Sequence, residues 1–246
     1  MDRTSTNILF SEKIFKALFC LFIISTLIDP ADKLFGLKVY LFIACFLFAF
    51  VQYLLNPNKI YFPLSMIIFS LSLILLPVMS MTHYFLLEGS FPYGGFVLFK
   101  AYLFIFLTFA LYITKIDSVR YLVGGLNLLL LLIFFVSLII LIFPDLFLPI
   151  YIFGAVYGIF SIDEGRDYGA AGNFFQMYFV TSSMLVFSVA YYFDRVMKRK
   201  IKFDMNIIFL ILSLIGLFLA GSRNNMLAAV ILPFLLFFLY TDKKIL

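Results

Sequence analysis

A chain of 246 residues that is 65% apolar and 13% charged, with mean hydropathy +1.13, does not have the make-up of a water-soluble domain, where about 25% of residues are charged. Lipid is its expected solvent, so length does not count soluble domains and one integral membrane domain over residues 1–246 is expected. The net charge of +5 and pI near 9.1 come mostly from basic flanks of apolar segments, which attract anionic headgroups; this excludes nucleic acid as a partner and points to membrane lipids.

A bilayer core about 30 Å thick needs roughly 20 apolar residues per helix. Apolar runs broken by charge, Pro, Gly and Asn predict spans at 13–29, 38–55, 61–79, 96–114, 121–143, 174–193, 203–220 and 225–240. The runs are continuous, which favours helices over membrane strands of alternating polarity. The expected fold class is therefore all-α, a polytopic membrane protein with about eight transmembrane helices.

The first span follows Lys13 and Lys16 as a signal sequence would, yet Ser25-Thr-Leu-Ile-Asp-Pro30 offers no small-x-small cleavage site, so an uncleaved span is expected. Thirteen of the eighteen Lys and Arg fall on one side of the alternating spans, including Arg195, Lys198, Arg199, Lys200 and Lys202. Positive residues are retained on the cytoplasmic side, which gives an N-in, C-in orientation. Only Lys33, Lys38, Arg166 and Arg223 fall outside, and Lys100 lies within the fourth span. Cys20 and Cys45 fall at opposite levels of neighbouring antiparallel spans and predict no disulfide. One His and two Cys cannot build a His/Cys zinc site, so neither a metal nor another cofactor is expected.

Two outer loops are long, Met79–Gly95 and Pro144–Asn173, and long loops tend to be functional. His83 in the first is either a general base or, beside Tyr84 and Phe85, an interfacial side chain. The second contains an apolar piece, Leu148–Phe160, too short to cross and suited to a re-entrant or interfacial segment. It is followed by Asp163-Glu164-Gly165-Arg166-Asp167, the densest charge cluster on the outer side.

The seventh and eighth spans cover only about 27 and 24 Å at 1.5 Å per residue, so the turn Gly221-Ser222-Arg223-Asn224 is expected to dip below the outer surface. An ionisable side chain there suggests a substrate or ion path. Asn224 is expected to cap the following helix, and an arginine beside a helix N-terminus is suited to an anion. The bland alternative has Arg223 snorkelling to headgroup phosphates, Arg166 pairing with Asp163, Glu164 or Asp167, and Asn173 serving as an N-cap.

Arg166 followed by Gly169, Gly172 and Asn173, then one span, a basic cytoplasmic loop, another span and Gly221-Ser222-Arg223, resembles the O-antigen ligase and polymerase family over residues 163–240. The resemblance implies a multi-pass glycosyltransferase of the bacterial inner (cytoplasmic) membrane, acting at its outer face in surface polysaccharide biosynthesis. It implies that Arg166 and Arg223 are the catalytic pair, holding the pyrophosphate of an undecaprenyl-pyrophosphate-linked oligosaccharide. Gly172, Asn173, Ser222 and Asn224 would bind substrate, without a metal, and an acceptor glycan and other polysaccharide-export proteins would be the partners.

Members of that family typically continue past the Ser-Arg turn into a large outer loop, which in ligase-type members carries a His that acts on the acceptor, and into several further spans, whereas this sequence ends at Leu246. The resemblance thus implies a fragment or a shortened member, and it leaves the general base open among Asp163, Glu164 and Asp167. Two other classes fit the spans: a flippase or other secondary transporter for a lipid-linked glycan, and a non-catalytic polysaccharide-assembly subunit packed through small residues such as Gly124-Gly125.

Overall fold

A computed structural model describes residues 3–55, 61–90, 103–160, 179–198, 204–219 and 223–242. Among them the fold is all-α, and the single extended pairing is a bridge between Phe160 and Phe179. The helices are α1 (Arg3–Ile28), α2 (Lys38–Leu55), α3 (Leu64–Glu88), α4 (Leu107–Thr114), α5 (Ser118–Ile142), α6 (Phe147–Val156), α7 (Leu185–Lys198), α8 (Met205–Leu219) and α9 (Arg223–Asp242). Of the described helices, α3 and α5 are long and apolar enough to cross a membrane. At 25 residues each they extend about 37 Å.

Three expected boundaries are corrected. The third helix does not stop at residue 79 but runs to Glu88, where Gly89 takes φ 63° and donates its N–H to the Phe85 carbonyl. A left-handed glycine closing a helix supplies the carbonyls of the last turn with donors, so polar Thr82, His83 and Glu88 do not interrupt it. His83 therefore belongs to α3 and not to an outer loop. Within the sixth expected span residues 179–181 are not helical: the Val180 N–H is spent on the Ile159 carbonyl at 3.0 Å, and among the described residues after the bridge helical structure starts at the 3-10 turn Ser182–Met184, while 174–178 lie outside them. Finally, α9 starts at Arg223, one residue ahead of the cap expected at Asn224. The short apolar piece before the acidic cluster does form its own helix, α6, of ten residues.

The chain divides into two compact units, Met1–Leu21 with Val39–Ser118, and Phe22–Lys38 with Val119–Leu246. The first is held by aromatic side chains. Phe15 is fully buried and lies 6.1 Å from Phe48. Phe42 meets Phe104 edge-on at 5.1 Å, and Phe62 meets Phe109 at 5.2 Å and Tyr112 at 5.6 Å. Phe42 and then Phe46 of α2 meet Phe104 and then Phe106 just ahead of α4, while Tyr53 late in α2 and Tyr112 late in α4 both meet Phe62 just ahead of α3, so α2 and α4 run parallel with α3 opposed to both. Apolar side chains of α3 stay open to the surroundings, with Leu64 at 70%, Phe69 at 60% and Leu86 at 74% exposure. A contiguous apolar surface of this kind is unfavourable against water and is suited to lipid or to another apolar surface.

The second unit has a drier core. Leu126, Leu130 and Ile133 of α5, Leu185 and Val189 of α7 and Leu217 of α8 are fully buried. The buried positions of α7, namely 185, 188, 189, 192 and 196, recur at helical spacing and define one face. Small residues let helices approach along it: a β-carbon at Gly216 would press on Leu130 and Leu185. Tyr192 stacks on Phe209 at 5.3 Å, Ser213 Oγ lies 3.2 Å from Ser188 Oγ, and Asn127 Nδ2 donates to the Tyr192 hydroxyl at 2.6 Å. The pairs 192 with 209 and 188 with 213 set α7 and α8 antiparallel.

Candidate functional site at one end of the second unit

Pro30 cannot continue α1, and Asp29 organises the chain that follows. Its carboxyl is fully buried. Oδ1 accepts the N–H of Lys33 at 3.0 Å, and Oδ2 accepts those of Leu34 at 3.0 Å and Phe35 at 2.8 Å. Asp32, at φ 57°, accepts the Lys38 N–H at 3.0 Å, and Lys38 Nζ donates to the Pro30 carbonyl at 2.6 Å. Residues 29–38 are thus folded by their own polar groups into a fixed knot at the end of α1.

Against this knot lies the turn that ends α6. Gly158 adopts φ 72° and leaves no room for a β-carbon beside Ala31, while Lys33 Nζ donates to the Val156 carbonyl at 3.4 Å. The Phe160 ring covers Gly154, and both the Ile159 and Phe160 N–H groups return to the Gly154 carbonyl. Phe160 then meets Phe179 edge-on at 4.7 Å, where the backbones form their bridge. The two ends of the segment 161–178 are held together here. Gly154→Ala is expected to destabilise the protein by about 1–3 kcal/mol, because an added methyl drives into a rigid ring that is already paired. A thermal melt in detergent reads this, with Gly124→Ala as a control, since nothing lies within 4 Å of that position.

The residues after the bridge reach two further helices. Thr181 Oγ1 donates to the Leu27 carbonyl at 2.7 Å in the last turn of α1. Asn225 Nδ2 donates to Ser182 Oγ at 2.7 Å, and both side chains are buried. Asn225 lies in the first turn of α9, two residues after Arg223. The end of α1, the turn after α6, the start of α7 and the start of α9 therefore meet at one end of the unit.

Of the residues singled out from sequence, Arg166, Gly172, Asn173 and Ser222 lie outside the described residues, as does the acidic cluster 163–167. Arg223 opens α9, and Asn224, in the same turn, is exposed. The polar contact that joins α9 to α7 is made by Asn225 and not by Asn224. Sequence reading passed over Asn225, Ser182, Thr181 and Asp29; a cluster Arg-Asn-Asn at a helix start and an Asp-Pro at a helix end were the signals available. Lys33, noted there only as an outside cation, is brought to this same end. Scans against protein-family models, curated proteins and solved structures found no match to this chain.

Proposed function

We propose that the chain is a polytopic inner-membrane glycosyltransferase of the O-antigen ligase and polymerase type, with about eight spans and both Met1 and Leu246 on the cytoplasmic side. It transfers an oligosaccharide from an undecaprenyl-pyrophosphate carrier at the outer face. The observation that carries this reading is the buried bond between Ser182 and Asn225, which joins the start of α9, and with it Arg223, to the element that follows the segment bearing Arg166.

Helix directions support the alternation of spans: α3 opposes α2 and α4 in the first unit, and α8 opposes α7 in the second. The 15 residues of α8 cover about 22 Å, short of a hydrocarbon core of about 30 Å. In this reading Arg223 sits below the outer surface, where a cation without an anionic partner is costly. Two guanidinium groups can each chelate phosphate oxygens through fixed N–H pairs, and Lys33 supplies a third positive charge.

In the proposed reaction an acceptor sugar hydroxyl attacks the anomeric carbon of the donor. The new glycosidic C–O bond forms as the bond to pyrophosphate breaks, and the hydroxyl proton passes to a base. The arginines stabilise the charge that accumulates on the departing pyrophosphate, an effect of fixed donors aimed at developing charge. Reconstitution into vesicles with an undecaprenyl-pyrophosphate-linked repeat unit is the direct test. A product ladder supports transfer; movement of intact donor across the bilayer without new linkages would make the chain a flippase; neither would leave an assembly subunit.

A further inference from the structure

At the end of the first unit where α4 stops and α3 begins lies a cavity of about 750 Å³. This is within the 300–1,000 Å³ range of small-ligand sites. One part of its wall is apolar, formed by Met66, Phe69, Leu111 and Ile116, and another part is polar, formed by Ser70, Thr108, Lys115 and Asp117. Two details mark it as more than a gap between helices.

The first is Ser70. A serine inside a helix ordinarily returns its hydroxyl to the carbonyl one turn back, as Ser72 does to Ile68 and Thr82 does to Val78, each at 2.8 Å. Ser70 is 2% exposed, lines the cavity and has no hydrogen-bond partner among the described residues. Buried polar groups are rarely left unpaired, and the cavity is where a partner fits. The second is Lys115, which ends α4 at φ 52° and ψ 35°, a left-handed conformation disfavoured for a side chain with a β-carbon. It is exposed on the cavity wall, and no ion pair engages it among the described residues, whereas Asp117 already has a polar partner.

We propose that this cavity binds the anionic headgroup of a membrane phospholipid, with Lys115 on the phosphate, Ser70 donating to it, and the acyl chain lying along Met66 and Phe69. The mixed lining favours a lipid over a free phosphoester, because the cationic group and the apolar wall face one space that opens beside the exposed surface of α3. In the orientation proposed above this end meets the cytoplasmic leaflet, whose anionic lipids attract such lysines. The site is separate from the glycan-transfer site, and of that reading it rests only on the orientation.

Native mass spectrometry of the detergent-solubilised chain tests it, with phosphatidylglycerol, phosphatidylcholine and sn-glycerol 3-phosphate as probes. One phosphatidylglycerol per chain should be retained, and Lys115→Gln should weaken retention about fivefold, the order of one lysine's contribution at a membrane surface. Lys115→Arg should restore it, and Ser70→Ala, which leaves the helix intact, should weaken it in the same direction. Equal loss on Lys13→Gln, a lysine of the same unit away from the cavity, would show diffuse charge attraction and overturn the proposal. Displacement by equimolar glycerol 3-phosphate, or unchanged retention in Lys115→Gln, would overturn it as well.

Discussion

Arg223→Lys is expected to lower glycan transfer about 100-fold, the scale seen when one fixed donor to a developing anion is removed, without loss of membrane insertion. Lysine keeps the charge, so helix start and orientation signal are preserved. What it loses is the planar pair of N–H groups that chelates two phosphate oxygens at once. A merely electrostatic role in the headgroup region would survive the exchange, since a lysine snorkels as readily as an arginine. Arg166→Lys should behave alike, and the double variant should be little worse than either single one if both arginines grip the same pyrophosphate. Initial rates with lipid-linked donor, beside the amount of protein recovered from membranes, separate these outcomes. Wild-type rates in both variants would end the pyrophosphate-clamp reading and restore the bland one.

Asp29→Ala is expected to be the most damaging single change to the stability of the second unit, at about 3 kcal/mol. It removes the acceptor of three backbone N–H groups, those of Lys33, Leu34 and Phe35, at a position with no exposure. Such groups cost more when left unpaired in a buried site than their bonds contribute when made. Asp29→Asn should recover only part, because its amide presents a donor where an acceptor is needed. The midpoint of unfolding in detergent measures the loss, and an unchanged midpoint would contradict the role assigned to the knot. The same variant should lower transfer, since residues 29–38 hold the turn after α6 through Ala31 and Lys33; a stability loss with normal activity would detach the knot from the proposed site.

Composition and continuous apolar runs were enough to read an all-helical fold with segments suited to lipid, because burial of apolar surface and internal satisfaction of backbone hydrogen bonds are local requirements that leave a mark on every stretch of sequence. That Leu148–Phe160 is apolar but too short to span was legible for the same reason; that its helix, α6, ends at Val156 was not. The helix boundaries near polar residues were not. His83 reads as loop from its neighbours, yet a helix continues through it until Gly89 closes the last turn. Residues 179–181 read as helix from their apolarity, yet their backbone is bound to Ile159 and their hydroxyl to Leu27.

The two arginine-bearing stretches could be found in the linear chain because charge is rare in it. That their flanks belong to one end of one unit could not, since it rests on contacts between residues far apart: Phe160 with Phe179, Thr181 with Leu27, and Ser182 with Asn225. Nor does the residue next to a motif announce its part; Asn224 and Asn225 are the same letter, and only the angular position of each on α9 decides which is exposed and which bonds to α7. Residue type and spacing determine which groups are available, while packing direction determines which of them meet.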